Sequence, residues 1–432
     1  MGSAVSAPEV AIAAGGAVTA LGLGVEKIAE AVRTNSTGLR ECPRLAGKGY
    51  QSTVAGFVPD AVWRQLQERD PAHADAPAFL LAGAALHEAL EGLRWKEARS
   101  AGLRPGPDAH QPSFAPGCKP SLRQPQKDLF ASIPPARRGL VLSTTKAEIG
   151  VLERTARQET CSAPVQRHLF PALLAADLAS AHDLAGPVQC VSAACISGVL
   201  AIQQGAILIL EDKADVVLVV GVDLLSDFVL CGFTTLKSLE TNGCRPFDLE
   251  RKGLSLGEGA GALALARRDA LPGPAIVVSG WGSSNDANHL TGPSRDGSGL
   301  ALAMNRALHA AGIAPAAIDF VHAHGTGTPF NDAMEGMALR LVFGERVPPF
   351  CSSKGLLGHT LGAAGVLETL VCLTAARQQL LPGTPGLRTP DPAVPDSVLQ
   401  VPRPAKSLRH MLKVNAGFGG TNAALALTWE AA

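Results

Sequence analysis

The 432-residue sequence lacks an excess of either charge. Lys and Arg total 38, Asp and Glu total 38, and charged residues make up only 18% of the chain. Such a balance gives no general electrostatic attraction to nucleic acid or to an anionic membrane surface. The sequence also lacks an apolar run of the roughly 20 residues that a membrane span requires. We therefore expect a chain that binds no nucleic acid and does not cross a membrane.

The cysteine pattern excludes two further classes of site. Nine cysteines are scattered without a Cys-x-x-Cys pair, so neither a structural zinc site nor a disulfide framework is predicted. The opening MGSAVSAPEV lacks the basic region and apolar core of a signal peptide. No Gly-x-Gly-x-x-Gly follows the first predicted strand, which argues against a nucleotide-dependent oxidoreductase. We expect a protein of the reducing cytoplasm.

The sequence is rich in short apolar runs that alternate with Ala/Leu-rich helical patterns. Strands are predicted at 10–12, 139–143, 188–191, 216–220, 262–266, 275–279, 318–322, 412–415 and 423–427. Helices are predicted at 78–95, 173–181, 197–210, 299–311 and 365–379. This alternation predicts an α/β protein whose sheets are mostly buried.

A faint internal repeat suggests two related halves. GLSLGEGAGALALARR and NAGFGGTNAALALTW both run from a glycine-rich turn into an apolar strand. The chain is long enough for two core-bearing units. We expect one half over residues 1–270 and a second over 271–432. Residues 101–137 carry prolines throughout and show no periodicity, which predicts a surface insertion in the first half.

Cys195 stands where the strand-like run 188–191 gives way to the helical pattern 197–210. One interpretation is a buried packing thiol, which is common for free cysteine. The other is a nucleophile, because the small residues 192–194 allow a sharp turn before the helix. A thiol there would face unpaired backbone N–H groups and the positive end of the helix dipole, which lower a thiol pKa.

Two glycine-rich loops supply histidines. FVHAHGTGTPFNDAMEG contains His322 and His324, and SSKGLLGHTLGAAG contains His359. His322 and His324 would share one face of a strand, and a metal pair is one interpretation, but no third ligand follows at a suitable spacing. Glycine allows a backbone to approach a ligand closely. Two histidines in such loops, in a chain with a poised cysteine, favour catalysis over a structural role.

Five motifs, in this order, resemble those of the β-ketoacyl-acyl-carrier-protein synthases, the elongating condensing enzymes of the thiolase-like fold. They are SAACISG, CRPFDLERKGLSLGEGAG, AHGTGTPFND, SSKGLLGHTLGAAG and GFGGTNAAL. The resemblance implies a layered αβαβα architecture of two related halves and 3-oxoacyl-acyl-carrier-protein synthase activity. It also implies acyl carrier protein as partner, no metal or separate cofactor, and a dimer with an identical or related subunit.

The resemblance further implies a role for each of a small set of residues. The acyl-accepting nucleophile is Cys195, and the catalytic histidines are His324 and His359. The charged pair that supports the histidine loops is Lys354 and Glu368. The contacts to phosphopantetheine are Thr326 and Thr328, and the gating phenylalanine is Phe418. The backbone N–H groups of Phe418 and Cys195 would form the oxyanion hole.

The implied chemistry suits these residue types. A thiolate exchanges readily with a carrier thioester, and two imidazole N–H groups can stabilise the enolate that forms when CO2 leaves. Two departures bear on the substrate: Ala416 stands where many members have an aromatic residue, and LSTTKAEIGVLER replaces the usual glycine-rich stretch. Fatty-acid and polyketide-type synthesis therefore both stay open. Arg64 and Arg69 are candidate contacts for an acidic carrier protein.

Two related families are alternatives to the condensing enzyme. A chain-length-factor-type partner subunit shares the fold but lacks the nucleophilic cysteine. Thiolase-type and priming condensing enzymes have a second cysteine or an asparagine in place of one histidine. The presence of Cys195, His324 and His359 together argues against both alternatives.

Overall fold

The computed structural model describes residues 9–99 and 129–431. Most of the predicted insertion, residues 101–128, lies outside the described residues. The end of that segment has regular structure: Leu129–Ser132 form a short helix, Pro135–Arg137 form a 3-10 turn, and Phe130 is buried in a hydrophobic cluster. Phe130 anchors these last residues, and the surface insertion itself stays a prediction.

The strands are β1 Val10–Thr19, β2 Gly22–Leu23, β3 Arg40–Glu41, β4 Val54–Ala55, β5 Arg138–Ser143, β6 Val188–Val191, β7 Val216–Asp223, β8 Gly259–Arg267, β9 Ala275–Asn285, β10 Phe320–His322, β11 Phe350–Cys351, β12 Leu380–Leu381, β13 Arg403–Pro404, β14 His410–Gly417 and β15 Thr421–Glu430. The helices are α1 Val25–Thr34, α2 Asp60–Arg69, α3 Pro77–Arg99, α4 Leu129–Ser132, α5 Gly150–Ala156, α6 Ala163–Arg167, α7 Pro171–Ala181, α8 Ser197–Leu210, α9 Asp227–Thr235, α10 Ser298–Ala311, α11 Pro329–Phe343, α12 Lys354–Leu357 and α13 Ala364–Gln378.

Two sets of five strands repeat one pairing pattern. In the first set β1 pairs with β8 and β8 with β7, both antiparallel, and then β7 pairs with β5 and β5 with β6, both parallel. In the second set β9, β15, β14, β10 and β11 follow each other with the same order of senses. The sets join where β1 pairs with β9. The two related halves are thus visible in the topology, and the division at residue 270 stays a prediction.

The layers follow from the two faces of each strand set. Successive residues of a strand point to opposite faces. Val219 of β7 packs in one hydrophobic cluster with Ile202 of α8, Val366 of α13 and Leu425 of β15, so α8 and α13 lie between the two strand sets. The opposite faces are covered by α3 and α7 on the first set and by α10 and α11 on the second. This arrangement confirms the predicted αβαβα architecture.

The middle helices approach each other closely at their N-terminal ends. A Cβ on Gly198 would lie 2.7 Å from the backbone nitrogen of Val366, and a Cβ on Gly365 would lie 2.5 Å from that of Val199. Only glycine allows this approach. The two glycines therefore bring together the loops that precede α8 and α13, which carry Cys195 and the segment after His359.

Strand β6 differs from its prediction. The run 188–191 is a strand as expected, but it is an edge strand rather than a buried one. It pairs with β5, and the part of the chain that the structure describes places no strand on its other side. Val188 is 38% exposed, and the other three residues are half-buried. Across residues 9–99 and 129–431, no helix combines the length and apolarity needed to span a membrane.

Candidate active site

Cys195 lies in the turn between β6 and α8, as the sequence predicts. Ala194 has a φ of +48°, in the left-handed region that few residues other than glycine adopt. The hydroxyl of Ser197 accepts a hydrogen bond from the Ala193 N–H at 2.8 Å and donates one to the Ala194 carbonyl at 2.6 Å. These contacts fix a sharp turn that holds Cys195, which is 7% exposed, just before the first residue of α8.

The pKa of Cys195 is raised, whereas the sequence predicted a lowered one. Burial raises the pKa of the thiol to about 11, although the charge of Lys354 and a hydrogen bond from the Phe418 N–H act in the opposite direction. The helix terminus is present, but the sulfur is enclosed, and the cost of desolvating a thiolate outweighs these favourable terms. Enclosure of the sulfur therefore disfavours the thiolate.

His359 faces the sulfur directly. Its Nε2 lies 3.0 Å from Sγ of Cys195, while Nδ1 accepts a hydrogen bond from the Leu361 N–H at 3.2 Å. Burial lowers the pKa of His359 well below 6.5, so the ring is neutral and carries one proton. Since Nδ1 is an acceptor, that proton is on Nε2. The next turn is tied to β7, because Gly362 N–H donates to the buried Asp223 carboxylate at 2.7 Å.

His324 follows β10 in a loop that two buried carboxylates of α11 hold. Glu335 accepts hydrogen bonds from the backbone N–H groups of His324, at 2.7 Å, and Gly325, at 2.5 Å. Asp332 accepts from the Thr326 N–H at 3.0 Å. Burial, and then the charge of Asp332, raise the pKa of Glu335 to about 7. These carboxylates, which the sequence analysis left without a role, shape the loop.

A buried charge cluster lies behind His324. Lys354 is ion-paired with Glu368, and Nζ of Lys413 lies 2.8 Å from the other carboxylate oxygen. All three side chains are at most 3% exposed. Burial raises the pKa of Glu368, but the two lysines outweigh it and hold that pKa well below its usual value. Nζ of Lys354 is also 3.1 Å from the His324 carbonyl and 3.4 Å from its Nδ1.

The cluster contains two residues that sequence reasoning missed. Lys413 and Asn415 both lie on β14 and are fully buried. Asn415 Nδ2 lies 2.9 Å from His324 Nδ1 and 2.9 Å from a carboxylate oxygen of Glu368. A lysine inside the apolar run HMLKVNAG was the available signal, because a buried strand accepts a charge only where a counter-charge meets it.

Three predicted residues converge on one point. The reactive atoms of Cys195, His324 and His359 all lie within 4.8 Å of one another, and the two imidazoles meet edge to face with centroids 5.3 Å apart. His322 does not join them: its Nε2 contacts Ser353 Oγ at 3.1 Å. The alternative of a His322–His324 metal pair therefore lacks its geometry. The Lys354 ammonium, 3.4 Å from Nδ1 of His324, would repel a metal cation bound there.

A cavity of about 590 Å³ opens onto this point. Thr326 and Thr328 line it, with their hydroxyl oxygens 2.8 Å apart. Arg295 also lines the cavity, and its guanidinium lies over the ring of Phe330. Arg64 and Arg69 are instead exposed on α2 and do not line it.

Phe418 separates this cavity from a second, mostly apolar groove of about 710 Å³ between α5 and α9. Its ring stacks on Phe233 with centroids 5.7 Å apart, and it is 37% exposed. Ala416 lines the first cavity, where its small side chain leaves room. Lys146, from the unusual LSTTKAEIGVLER stretch, lies in the second groove with Nζ 3.7 Å from Asp223.

The chain matches one known family along most of its described length. Residues 132–270 match the N-terminal domain of beta-ketoacyl synthases, and residues 275–388 match their C-terminal domain. The chain belongs to the β-ketoacyl synthase family. The predicted resemblance is thereby confirmed, while the roles of the individual site residues stay predictions.

Relatives of this chain are named as 3-oxoacyl-[acyl-carrier-protein] synthases and polyketide β-ketoacyl synthases. The mitochondrial 3-oxoacyl-[acyl-carrier-protein] synthase of Arabidopsis thaliana is 35% identical over 56% of this chain and 57% of its own length. The 3-oxoacyl-[acyl-carrier-protein] synthase 2 of Vibrio cholerae is 35% identical over 59% of this chain and 65% of its own length. The matched segment thus spans less than two thirds of either relative. A Streptomyces coelicolor protein named as an actinorhodin polyketide β-ketoacyl synthase is 33% identical over 68% and 69%.

Solved structures match this chain along nearly its full length. The ishigamide ketosynthase/chain length factor is 26% identical with a TM-score of 0.82, covering 98% of this chain and 99% of that one. A ketosynthase in complex with its chain length factor from Xenorhabdus doucetiae is 28% identical with a TM-score of 0.77, covering 100% of both chains. These similarities confirm the thiolase-like fold.

Proposed function

We propose that this β-ketoacyl synthase is a 3-oxoacyl-acyl-carrier-protein synthase. It would join an acyl group held on Cys195 to a malonyl group on acyl carrier protein, with loss of CO2. The observation that supports this most directly is the 3.0 Å contact between Cys195 Sγ and His359 Nε2, with the His324 ring beside it in the same cavity. Neither a packing thiol nor a structural histidine needs that arrangement.

The first step transfers the acyl group. Sulfur of Cys195 attacks the carrier thioester, a new C–S bond forms, and the old C–S bond breaks. The thiol proton leaves with the departing phosphopantetheine thiol, so the net charge of the site does not change. The raised pKa of Cys195 is compatible with this route, because the thiol need not ionise before substrate arrives. We assign the N–H groups of Phe418 and Cys195 to the transient oxyanion.

The second step forms the carbon–carbon bond. The malonyl thioester carbonyl accepts hydrogen bonds from Nε2–H of His324 and His359, CO2 departs, and its electron pair becomes an enolate. That pair attacks the acyl carbon, the C–S bond to Cys195 breaks, and the departing thiolate takes a proton from water. Neutral imidazoles suit this role, and burial lowers the pKa of both rings well below 6.5. Losing one such donor typically costs about 2.7–4 kcal/mol in the transition state.

Substrate delivery involves the cavity mouth. We propose that the phosphopantetheine arm of acyl carrier protein lies along Thr326 and Thr328, which are adjacent in the cavity wall. Arg295 lines the same cavity and is a better-placed cation for an acidic carrier than Arg64 or Arg69. The chemistry requires no separate cofactor. We place the reaction in the cytoplasm, since it needs a reduced thiol.

We propose that the enzyme acts as a dimer through β6. An edge strand presents unpaired backbone groups that can pair with another strand, and exposed Val188 adds apolar surface there. The mate is a second copy or a related chain; the Xenorhabdus doucetiae ketosynthase is in complex with a chain length factor. The carbonyls of Pro187 and Val191 accept hydrogen bonds from β5 and the residue that follows it, so the N–H of Val188 points to the free edge. A Val188→Pro variant removes that outward N–H. It should be monomeric by light scattering, whereas a dimer of unchanged affinity would contradict this interface.

The function is tested by reconstitution. The purified protein is mixed with carrier protein that bears an acyl group and with carrier protein that bears a malonyl group. It should yield a 3-oxoacyl product and CO2, detected by mass spectrometry, while Cys195→Ser should yield no condensation product. Cys190→Ser is the matched control, because Cys190 lies in β6 outside the cavity. Binding of carrier without acylation of Cys195 would favour the second candidate, a non-catalytic chain-length-factor-type subunit, which the neighbour names suggest.

A further inference from the structure

The orientation of the Asn415 amide is fixed by a neighbour that can only donate. Nζ of Lys413 lies 2.7 Å from one terminal atom of Asn415 and also donates to the Val414 carbonyl at 2.6 Å. An ammonium group has no lone pair, so the amide atom that it contacts is the oxygen. The amide NH2 therefore points the other way, towards His324 and Glu368.

This orientation determines where the His324 proton lies. Nδ2 of Asn415 donates to Nδ1 of His324 at 2.9 Å, and Nζ of Lys354 approaches the same nitrogen at 3.4 Å. Both neighbours are donors, so Nδ1 must be an acceptor. Since a neutral imidazole carries one proton, that proton is on Nε2. The ring lines the cavity beside Cys195 and His359.

We propose that Asn415 is a positioning residue that, with its amide oriented by Lys413, holds His324 in the Nε2–H tautomer. This inference rests on the proposed function for its consequence in catalysis, because only the Nε2–H tautomer donates a hydrogen bond to a thioester carbonyl in the cavity. The Nδ1–H tautomer would present a lone pair there and repel the developing enolate oxygen.

Glu368 explains why such a device is needed. Its carboxylate lies close behind the ring, 2.9 Å from Asn415 Nδ2. A carboxylate readily accepts a hydrogen bond from an imidazole N–H. Without that amide, an Nδ1–H of His324 directed at Glu368 would compete with the Nε2–H form, and the Nδ1–H form is the inactive tautomer. The Asn415 amide donates both to Nδ1 of His324 and to the Glu368 carboxylate, so it lies between these two acceptors.

Nitrogen NMR on histidine-labelled protein tests the tautomer itself. Nδ1 and Nε2 have distinct 15N shifts in the two tautomers, and the His324 signals are assigned by their loss in His324→Gln. The parent should show the Nε2–H form. Asn415→Asp replaces the donor by an acceptor and should convert His324 to a form with a proton on Nδ1. Asn415→Leu, of similar size, removes the donor alone and should give a mixture.

Kinetics then separates positioning from simple damage. Asn415→Asp should lower malonyl-carrier decarboxylation by on the order of 10²-fold, as for a lost donor, while acylation of Cys195 stays within about twofold of the parent. The matched control is Thr428→Val, a buried polar residue at the far end of β15 that bonds to Ser279 and His410 rather than to His324. It should lose stability but keep both the tautomer and the ratio of the two rates.

The outcomes are distinguishable. Retention of the Nε2–H form in both Asn415 variants, with decarboxylation at the parent rate, would overturn the inference. A parent with Nε2–H that decarboxylates nothing would overturn the proposed function and leave the positioning of the ring standing. If Asn415→Asp does not fold, Asn415→Leu and Lys413→Met, which frees the amide to turn, supply the same two readouts.

Discussion

Replacing Glu368 by glutamine should destabilise the protein through the two lysines that it neutralises. Lys354 and Lys413 are both enclosed, with side chains at most 1% exposed, and Glu368 is the carboxylate that both contact. Removing one partner of a buried ion pair typically costs about 3–5 kcal/mol. The cost has a ceiling, because a buried lysine can lose its proton. The ordinary pKa of a lysine is about 10.5, so removing the proton from Lys413 at pH 7.5 costs about 4 kcal/mol of free energy.

The sign of the pH dependence follows from that proton. If Lys413 is neutral in the folded variant but charged in the unfolded chain, the unfolded state binds more protons, and stability rises with pH. The gap between Glu368→Gln and parent should therefore shrink by about 1.4 kcal/mol per unit from pH 7 to pH 9. The contribution of Glu368 in the parent, whose pKa is depressed, is already complete above its ordinary value and is lost only in acid.

Urea unfolding followed by circular dichroism measures both effects. The double variant Glu368→Gln/Lys413→Met removes one uncompensated cation and should be more stable than Glu368→Gln alone. A loss below about 1 kcal/mol with no change between pH 7 and pH 9 would show that the lysines have other counter-charges. That result would refute the buried cluster as the support behind His324.

Two further predictions concern Cys195 and Phe418. Because burial raises the pKa of Cys195 to about 11, the rate at which iodoacetamide labels it should rise roughly tenfold per pH unit above neutrality. Exposed Cys231 should react first at pH 7. A labelling rate of Cys195 that levels off near pH 8 would show that the helix terminus outweighs burial. Phe418→Ala, which loses the stack on Phe233, should change the rate or chain-length preference of acylation without unfolding the protein, and unchanged kinetics across chain lengths would make the ring a packing residue.

The sequence predicts well those features that depend on neighbouring residues. The period of the apolar pattern locates β6 and α8 with their observed ends, and the small residues before Cys195 predict the turn that Ala194 makes. The glycine-rich loops predict where His324 and His359 lie along the chain. These features are local, because turn geometry and periodicity act within a few residues.

Features that depend on distant contacts are beyond local reasoning. Asn415 meets His324 across 91 positions, and Asp223 meets the His359 loop across 139. The pKa of Cys195 is similar in origin: the turn gives it a helix terminus, but the cavity wall from distant loops encloses it. The exposed side of β6 depends on the absence of a strand neighbour within the described residues, which no property of VQCV reveals.

The most direct test of the central claim separates acyl transfer from decarboxylation. CO2 release from labelled malonyl-carrier protein is measured beside intact-protein mass spectrometry of the acyl-enzyme. Cys195→Ala should form no acyl-enzyme and no condensation product yet still release CO2, because the donors of His324 and His359 remain. His324→Ala and His359→Ala should release CO2 on the order of 10²-fold more slowly while still accepting an acyl group on Cys195. Histidine variants that decarboxylate at the parent rate would contradict the division of roles, and these two loops would then be structural.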